Sequence, residues 1–423
     1  MALGFSKLKS LAALGGAATP IAIDLGSQSI KLLQLSGTDQ PNLISAVTVA
    51  VPEALQSDAG KRLQFQLEAI GPALKQGGFR GKRVVCSLPS SHTFCKHLQV
   101  QPADGVTIDQ LVAGEVSTQL TCDPSALVSR SLLVDGAHTA TGGKSEVIAL
   151  TVARSLVSKL MDTIKAQRCQ LVGLQPECLA VLHGFGAGTA GKPSADAASV
   201  YLDIGAGSTK VYIGHGSTVV FAKTIQLGGR FLDQTIARQA NCTLTEARAM
   251  RWGMKVLTRA SRPARTPSGA TPEGTSNGFS AALEAVMKLE RMQNEVGGQP
   301  AGGVAVATAT AAPAPAPPAD EHHGLDLSEP LDTLTDEVNL CLRYYEAMFP
   351  TRRVQRAIFI GGESKHLGLC QHIARTLRMP AHVADPLARV GRGGSEKTFG
   401  IDLREPQPAW AVALGLCLAP TDL

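Results

Sequence analysis

The chain has 423 residues, enough for two or three domains with buried cores, and its 44% hydrophobic and 18% charged residues with 43 glycines mark a globular α/β composition rich in tight turns. A net charge of +5 scattered along the chain and an aromatic fraction of 4% leave neither the basic stripe nor the stacking platforms of a nucleic-acid binder. The nine cysteines, an odd number with no Cys-x-x-Cys pair, argue against a disulfide framework or a zinc site and fit reduced core thiols of a cytosolic protein.

Residues 1–19 carry only Lys7 and Lys9 on a weak Leu/Ala pattern and are expected to be a flexible N-terminus, not a signal peptide. No later run is long and apolar enough to span a bilayer. Ile21-Ala22-Ile23 reads as a buried strand that enters Asp24-Leu25-Gly26-Ser27-Gln28-Ser29-Ile30-Lys31, a polar glycine turn followed by a second β-prone stretch. A strand over 42–51, a helix over 57–76 and a strand over 82–88 follow, the last closed by Pro89. Residues 90 to 150 read as an inserted α+β subdomain, with strands at 94–100, 129–135 and 146–151 and a helix starting after Thr107. A helix over 156–167, the run Leu171-Val172-Gly173-Leu174 and a helix over 176–184 complete a first domain over 20–190.

After the glycine-rich joint 184–196, a second domain over 198–423 restarts with Val200-Tyr201-Leu202 and a second turn, Asp203-Ile204-Gly205-Ala206-Gly207-Ser208-Thr209-Lys210. A strand over 219–226 turns at Leu227-Gly228-Gly229 into a helix over 231–239. Residues 261–324, rich in Pro, Ala, Gly, Ser and Thr, cannot bury enough apolar surface to fold and are expected to form a disordered insert. Within them, 280–296 has helical periodicity, which leaves open a partner-binding helix or a weakly helical linker, and His322-His323 reads as a solvated tract. An amphipathic helix carrying Leu334, Val338, Cys341, Leu342 and Tyr345 ends at Pro350. The apolar run 357–360 then enters Gly361-Gly362-Glu363-Ser364, followed by helices over 367–377 and 409–416.

The two Asp-x-Gly turns carry the chemistry. Glycines let backbone N–H groups approach an anion closely, hydroxyls add donors, and an Asp at the strand end can hold Mg²⁺ directly or through water. Two such turns facing each other clamp a triphosphate from both sides.

This order of two Asp-x-Gly hairpins and a late Gly-Gly turn resembles the actin-like ATPase superfamily. The segments Leu111-Val112-Ala113-Gly114-Glu115-Val116, Gly173-Leu174-Gln175-Pro176-Glu177-Cys178, Ile225-Gln226-Leu227-Gly228-Gly229-Arg230-Phe231 and Met379-Pro380-Ala381-His382-Val383-Ala384-Asp385-Pro386 are similar to those of the PilM family of type IV pilus assembly proteins, relatives of FtsA. The resemblance implies a duplicated α/β, actin-like (ribonuclease H-like) fold with an inserted α+β subdomain in its first half, and ATP with Mg²⁺ as cofactors. Asp24 and Asp203 would orient the metal, while Gly26, Ser27, Ser29, Gly205, Gly207, Ser208 and Thr209 cradle the phosphates. Gly228, Gly229, Gly361, Gly362 and Ser364 would complete the nucleotide site. Glu177 stands where such ATPases keep the acid that aligns the attacking water, a helix-capping role staying equally open; Lys31 and Lys210 either approach phosphate or point to solvent.

Three departures stand out. Glu363 replaces the third glycine of many relatives, and Arg248 and Arg251 stand where relatives often have Glu and Lys, which puts the purine or ribose contact in question. The implied role is a nucleotide-gated cytoplasmic scaffold with at most slow ATPase activity. It would lie at the inner membrane through the tail of a PilN-like protein, with other platform components or self-association as further contacts. An FtsA-like division protein would be expected to add a membrane-binding helix after a linker, where this sequence ends at Leu423. A type II secretion platform protein would be expected to continue into a membrane span, and a small-molecule kinase needs an acceptor cleft with a carboxylate that the sequence does not display.

Overall fold

The computed structural model describes residues 18–37, 41–137, 143–186, 198–254, 257 and 325–419. The expected flexible N-terminus, most of the glycine-rich joint and the low-complexity insert with its helical island lie outside the described residues.

The first sheet opens with an antiparallel meander, β1 (Ile21–Leu25), β2 (Ser29–Ser36) and β3 (Asn42–Ala50). Every residue of β1 is buried, because helices cover both faces of the sheet. Ile21, Ile23 and Leu25 face one core with Leu63 and Ile70, whereas Ala22 belongs to the core on the other face. Asp24 shares the Ala22 face by alternation. A short α1 (Glu53–Gln56) precedes α2 (Ala59–Gly77), which begins where the Asp58 carboxylate accepts the Lys61 N–H and ends at left-handed Gly78. Then β4 (Arg83–Leu88) lies parallel to β1.

The inserted subdomain consists of β5 (Thr93–Val100), α3 (Ile108–Leu120), β6 (Leu127–Leu133) and β7 (Ser145–Ala153), with a capping box of Thr107 and Gln110 starting α3. Its sheet has the order β5-β7-β6 and its own small core around Val112, Val116 and Val147. The chain returns through α4 (Arg154–Ala166) to β8 (Gln170–Pro176), parallel to β4, and continues into α5 (Glu177–Gly186).

The second sheet repeats the plan. Strands β9 (Ala198–Ile204), β10 (Thr209–His215) and β11 (Thr218–Ile225) form an antiparallel meander, followed by α6 (Gly229–Ala240), α7 (Leu244–Gly253) and α8 (Ser328–Met348). Next, β12 (Val354–Ile360) pairs in parallel with β9, α9 (Leu367–Leu377) crosses over, and β13 (Ala381–Val383) pairs in parallel with β12. The orders β3-β2-β1-β4-β8 and β11-β10-β9-β12-β13 are the same arrangement twice, three strands antiparallel and two parallel.

The chain then leaves the second sheet. Strand β14 (Lys397–Phe399) pairs with β3, and α10 (Ala411–Leu418) packs on β1, β2, β4 and α5. Strand β14 and helix α10 thus pack with the first sheet, whereas the sequence assigned them to the second domain. Helix α10 is apolar on every side and buried over nearly its whole length, so no polar face in its sequence says which sheet it covers. It crosses α5 with Gly184 against the backbone of Gly415, and a side chain on Gly415 would run into the Ala180 backbone. One continuous apolar cluster runs from Ala22, Leu33 and Val85 through Ala180, Leu182, Ala413 and Leu416 into Leu202 and Ile213. Gly415→Val is therefore expected to lower stability by about 1–3 kcal/mol or more, because neither backbone at the crossing can retreat into solvent. A lower urea midpoint at unchanged slope is the measurement that checks it.

Candidate functional site

In both meanders an Asp on the first strand sits directly opposite a Lys on the second, Asp24 against Lys31 and Asp203 against Lys210. Opposed residues project from the same face, so each ammonium meets its carboxylate. The Lys31 Nζ to Asp24 Oδ2 distance is 3.1 Å, and the Lys210 Nζ to Asp203 Oδ2 distance is 3.0 Å. Each turn closes in the same way: the Gly26 N–H donates to the Ser29 carbonyl and the Gly205 N–H to the Ser208 carbonyl, both at 3.0 Å. The turns face one another, since a Cβ built on Gly207 would lie 3.6 Å from Cβ of Ser27. The structure thus brings Asp24, Gly26, Ser27 and Ser29 together with Asp203, Gly205, Gly207 and Ser208. Thr209 Oγ1 is fully buried beside them with no hydrogen-bond partner among the described residues.

Glu177 joins this group as the first residue of α5, where the helix dipole favours a carboxylate. Its Oε1 accepts the Ser90 N–H at 3.2 Å, and its Oε2 lies 2.8 Å from Lys210 Nζ and accepts the Tyr212 hydroxyl at 3.5 Å. Lys210 therefore bridges Asp203 and Glu177. Burial pushes the Glu177 carboxyl upward, against the pull of Lys210 and with the help of Asp203 and Asp24. Burial alone would lower the Lys210 pKa, but Asp203 and Glu177 outweigh it and hold the ammonium charged. On the other hairpin, the Ser87 hydroxyl donates to Asp24 Oδ1 at 3.3 Å and accepts the Leu25 N–H at 3.2 Å.

The sequence left both lysines between phosphate and solvent; the structure holds both in buried ion pairs. It missed Ser87, Ser90 and Tyr212 altogether. The same seven-residue interval from Asp to Lys in both copies was the available signal for the ion pairs. Mg²⁺ demands a near-octahedral shell of oxygens. Asp24 and Asp203, expected to orient it, are each engaged by an ammonium, and no group of three or more His, Cys, Asp or Glu fit for a metal occurs among the described residues. Mg²⁺ at a nucleotide needs only one or two carboxylates beside phosphates and waters, and Asp24 and Asp203 are the residues that would hold it.

The Gly228-Gly229 turn rests on the second hairpin, with the Gly229 N–H donating to the Gly205 carbonyl at 3.0 Å and the Arg230 N–H to that of Ala206 at 2.8 Å. Gly361 has φ of 90° and lies so close to Asp203 and the Ile204 carbonyl that only a glycine fits. Gly362 borders open space. Ser364 does not join them: it is fully buried and its hydroxyl donates to the Ile360 carbonyl at 2.5 Å. Glu363 is also buried and lies 2.7 Å from Nη1 of the fully buried Arg251, whose Nε donates to Asp233 at 2.6 Å. Arg248 binds the other oxygen of Asp233 at 3.2 Å. A side chain on Gly229 would strike the Glu363 carboxylate, so all three departures noted in the sequence meet in one ion-paired cluster.

Two sheets that share a five-strand order, one with an inserted subdomain, and two Asp-x-Gly turns facing each other define the actin-like fold. Among solved structures the chain is similar to the PilM-PilN type IV pilus biogenesis complex, at 18% identity, with 96% of this chain and 99% of that chain covered and a TM-score of 0.63. Ethanolamine utilization protein EutJ from Carboxydothermus hydrogenoformans matches at 11% identity over 95% of this chain and 89% of that one, with a TM-score of 0.45. MreB 5 of Spiroplasma citri bound to AMPPNP matches at 11% identity over 93% of each chain, with a TM-score of 0.42. The fold implied by the sequence resemblance is the fold the chain has. No protein-family model and no curated protein matches the chain.

Two outcomes follow from the buried charges. Arg251→Met leaves Asp233 and Glu363 buried without their shared cation and is expected to cost about 3–5 kcal/mol, read as a lower urea midpoint. For Glu177, a raised folded pKa means that the folded state holds the proton more tightly than the unfolded chain does. Its contribution is full below the ordinary value of 4.5 and is lost as pH rises through the raised value. Glu177→Gln is expected to flatten the fall in stability with pH above 4.5, measured by urea denaturation across a pH series.

Proposed function

We propose that the protein is a nucleotide-responsive scaffold of the type IV pilus inner-membrane assembly platform, which binds the cytoplasmic tail of a PilN-like membrane protein. The observation that carries this reading is the pair of matching Asp-x-Gly turns, face to face between the duplicated sheets, in a chain whose fold is that of a PilM-PilN complex over 96% of its length. Turn glycines and the hydroxyls of Ser27, Ser208 and Thr209 suit a chain of phosphates, and ATP is the proposed nucleotide. Glu177 is committed to Lys210 and is therefore a poor group for aligning an attacking water, which favours retention of the nucleotide over rapid turnover.

Contacts between the two sheets and the inserted subdomain support a coupling of nucleotide to partner. Closure of the cleft would rotate one sheet against the other about the tight α5–α10 crossing. The inserted subdomain feels that movement directly. His97 on β5 stacks on Phe221 of β11 with ring centroids 4.9 Å apart, the Cys95 thiol donates to the Ala222 carbonyl at 3.4 Å, and the Tyr344 hydroxyl donates to Glu146 at 3.0 Å. No helix among the described residues is long and apolar enough to cross a membrane, so the proposed place at the inner membrane rests on the partner.

Fluorescence anisotropy of a labelled peptide copying the cytoplasmic tail of a PilN-like protein tests this reading. Saturating ATP is expected to change the tail's affinity by about 5–150-fold, the usual range of coupling between two sites. Asp24→Ala, which removes the counter-ion of Lys31, is expected to abolish that change while tail binding persists. A tail that does not bind, or binds equally with and without ATP, overturns the proposal.

A further inference from the structure

Positive charge that is scattered along the sequence is gathered by the fold at one end of the first sheet. Strands β1, β4 and β8 run parallel, and the Asp24 turn follows the last residue of β1, so β4 and β8 both begin at the end opposite that turn. Helices α2 and α4 finish there too, because each leads into one of those strands, and β14 begins there beside β3. Lys75 lies in the last turn of α2, Arg80 and Lys82 precede β4, Lys165 lies in the last turn of α4, Arg168 precedes β8, and Lys397 opens β14. We propose that this face docks the protein directly on a bilayer containing anionic lipids.

The six cations form one surface. The Gln170 N–H donates to the Lys82 carbonyl at 2.7 Å, which brings the Arg168 turn beside Lys82. A Cβ built on Gly78 would lie 2.6 Å from Lys397 Nζ, so Lys397 extends over the end of α2. The Gln34 side chain accepts the Arg80 N–H and donates to the Arg80 carbonyl, each at 2.7 Å, and so fixes the backbone from which that guanidinium projects. All six residues are exposed, and none forms an ion pair with a described residue. The stretches 75–83, 165–170 and 391–399 hold one acidic residue, Glu396, and the β2–β3 connection adds Asp39. Lys75 and Lys165 also suit the negative ends of their helices. Arg168 has no helix end to serve and stands at φ of 57°, a left-handed conformation that glycine or asparagine adopts with less strain.

The chemistry of this face favours lipid over other anions. Phe79, the aromatic residue among these stretches that precedes β4, is partly buried with its ring over Gly77, so a nucleic acid finds no base platform there. The chain also enters the first sheet at this end, through Ala18, which bridges to Ser36 at the end of β2. In sequence, residues 1–17 bring Lys7 and Lys9, no acidic residue, and the apolar Phe5, Leu8, Leu11 and Leu14. Cations joined to apolar side chains match headgroups lying over acyl chains, whereas an acidic protein surface would call for the cations alone.

Co-sedimentation of the full chain with vesicles, in the absence of nucleotide, tests the inference separately from the nucleotide reading. Vesicles of phosphatidylcholine with about one third phosphatidylglycerol are expected to bind the protein, and vesicles of phosphatidylcholine alone are not. Binding is expected to fall steeply as salt rises, because headgroup attraction is screened. Each cation near such a surface strengthens binding about fivefold, so Lys82→Gln with Arg168→Gln is expected to weaken it by about tenfold or more. Lys61→Gln with Lys96→Gln removes the same charge from other parts of the surface and is expected to change binding by less than about twofold. Deletion of residues 1–17 is expected to weaken binding while leaving the preference for anionic vesicles intact. Equal binding to both kinds of vesicle, no binding to either, or equal losses in the two double variants overturns the inference. Loss of all binding on deletion of 1–17 would assign the contact to that segment and overturn the role of the face. A short DNA duplex that binds more tightly than the anionic vesicles would make the face a nucleic-acid site and overturn the inference as well.

Discussion

The site depends on a buried ion pair that is used twice. Asp24 and Asp203 lie inside the sheet layer, where an unpaired carboxylate would be strongly penalised, and each is matched by a lysine directly across the hairpin. Once those pairs exist, the turns beyond them are held in the same conformation, with the same Gly-to-Ser closing bond. The pairs lie near the ends of β1 and β9, next to the two turns.

The second organising feature is the way two similar halves are fastened. Glycines at the α5–α10 crossing bring two helix backbones into contact, and the apolar cluster passing through them joins the sheets into one continuous core. Small residues there let the two backbones touch, whereas bulky side chains would hold them apart. The buried Arg251, held by Glu363 and Asp233, ties α6, α7 and the turn after β12 together on the far side of the cleft. A single guanidinium serving two carboxylates is costly to desolvate, which makes that corner specific in geometry more than it makes it stable.

Much of this was legible in the sequence because its signals are local. The two Asp-x-Gly turns, the inserted subdomain and the helix at 367–377 follow from glycine turns, apolar runs and periodicity within a window of a few residues. Helix α7 was passed over although Thr243 and Glu246 spell out its capping box, and β13 and β14 are three-residue strands too short to carry a pattern. Ser364 was assigned to the site on the strength of its glycine neighbours, and its hydroxyl is instead spent on the Ile360 carbonyl.

By itself, the sequence determined the duplication, the two turns and the chemistry of their residues, since each is encoded within one contiguous segment. Only the tertiary structure decided which charges neutralise which. Lys210 reaches Glu177 from a different sheet, Glu363 reaches Arg251 across 112 residues, and the apolar α10 returns to cover the first sheet. Those pairings depend on how sheets and helices pack in space, and beyond the Asp–Lys pairs across each hairpin neither residue type nor spacing along the chain specifies the partner of a buried charge.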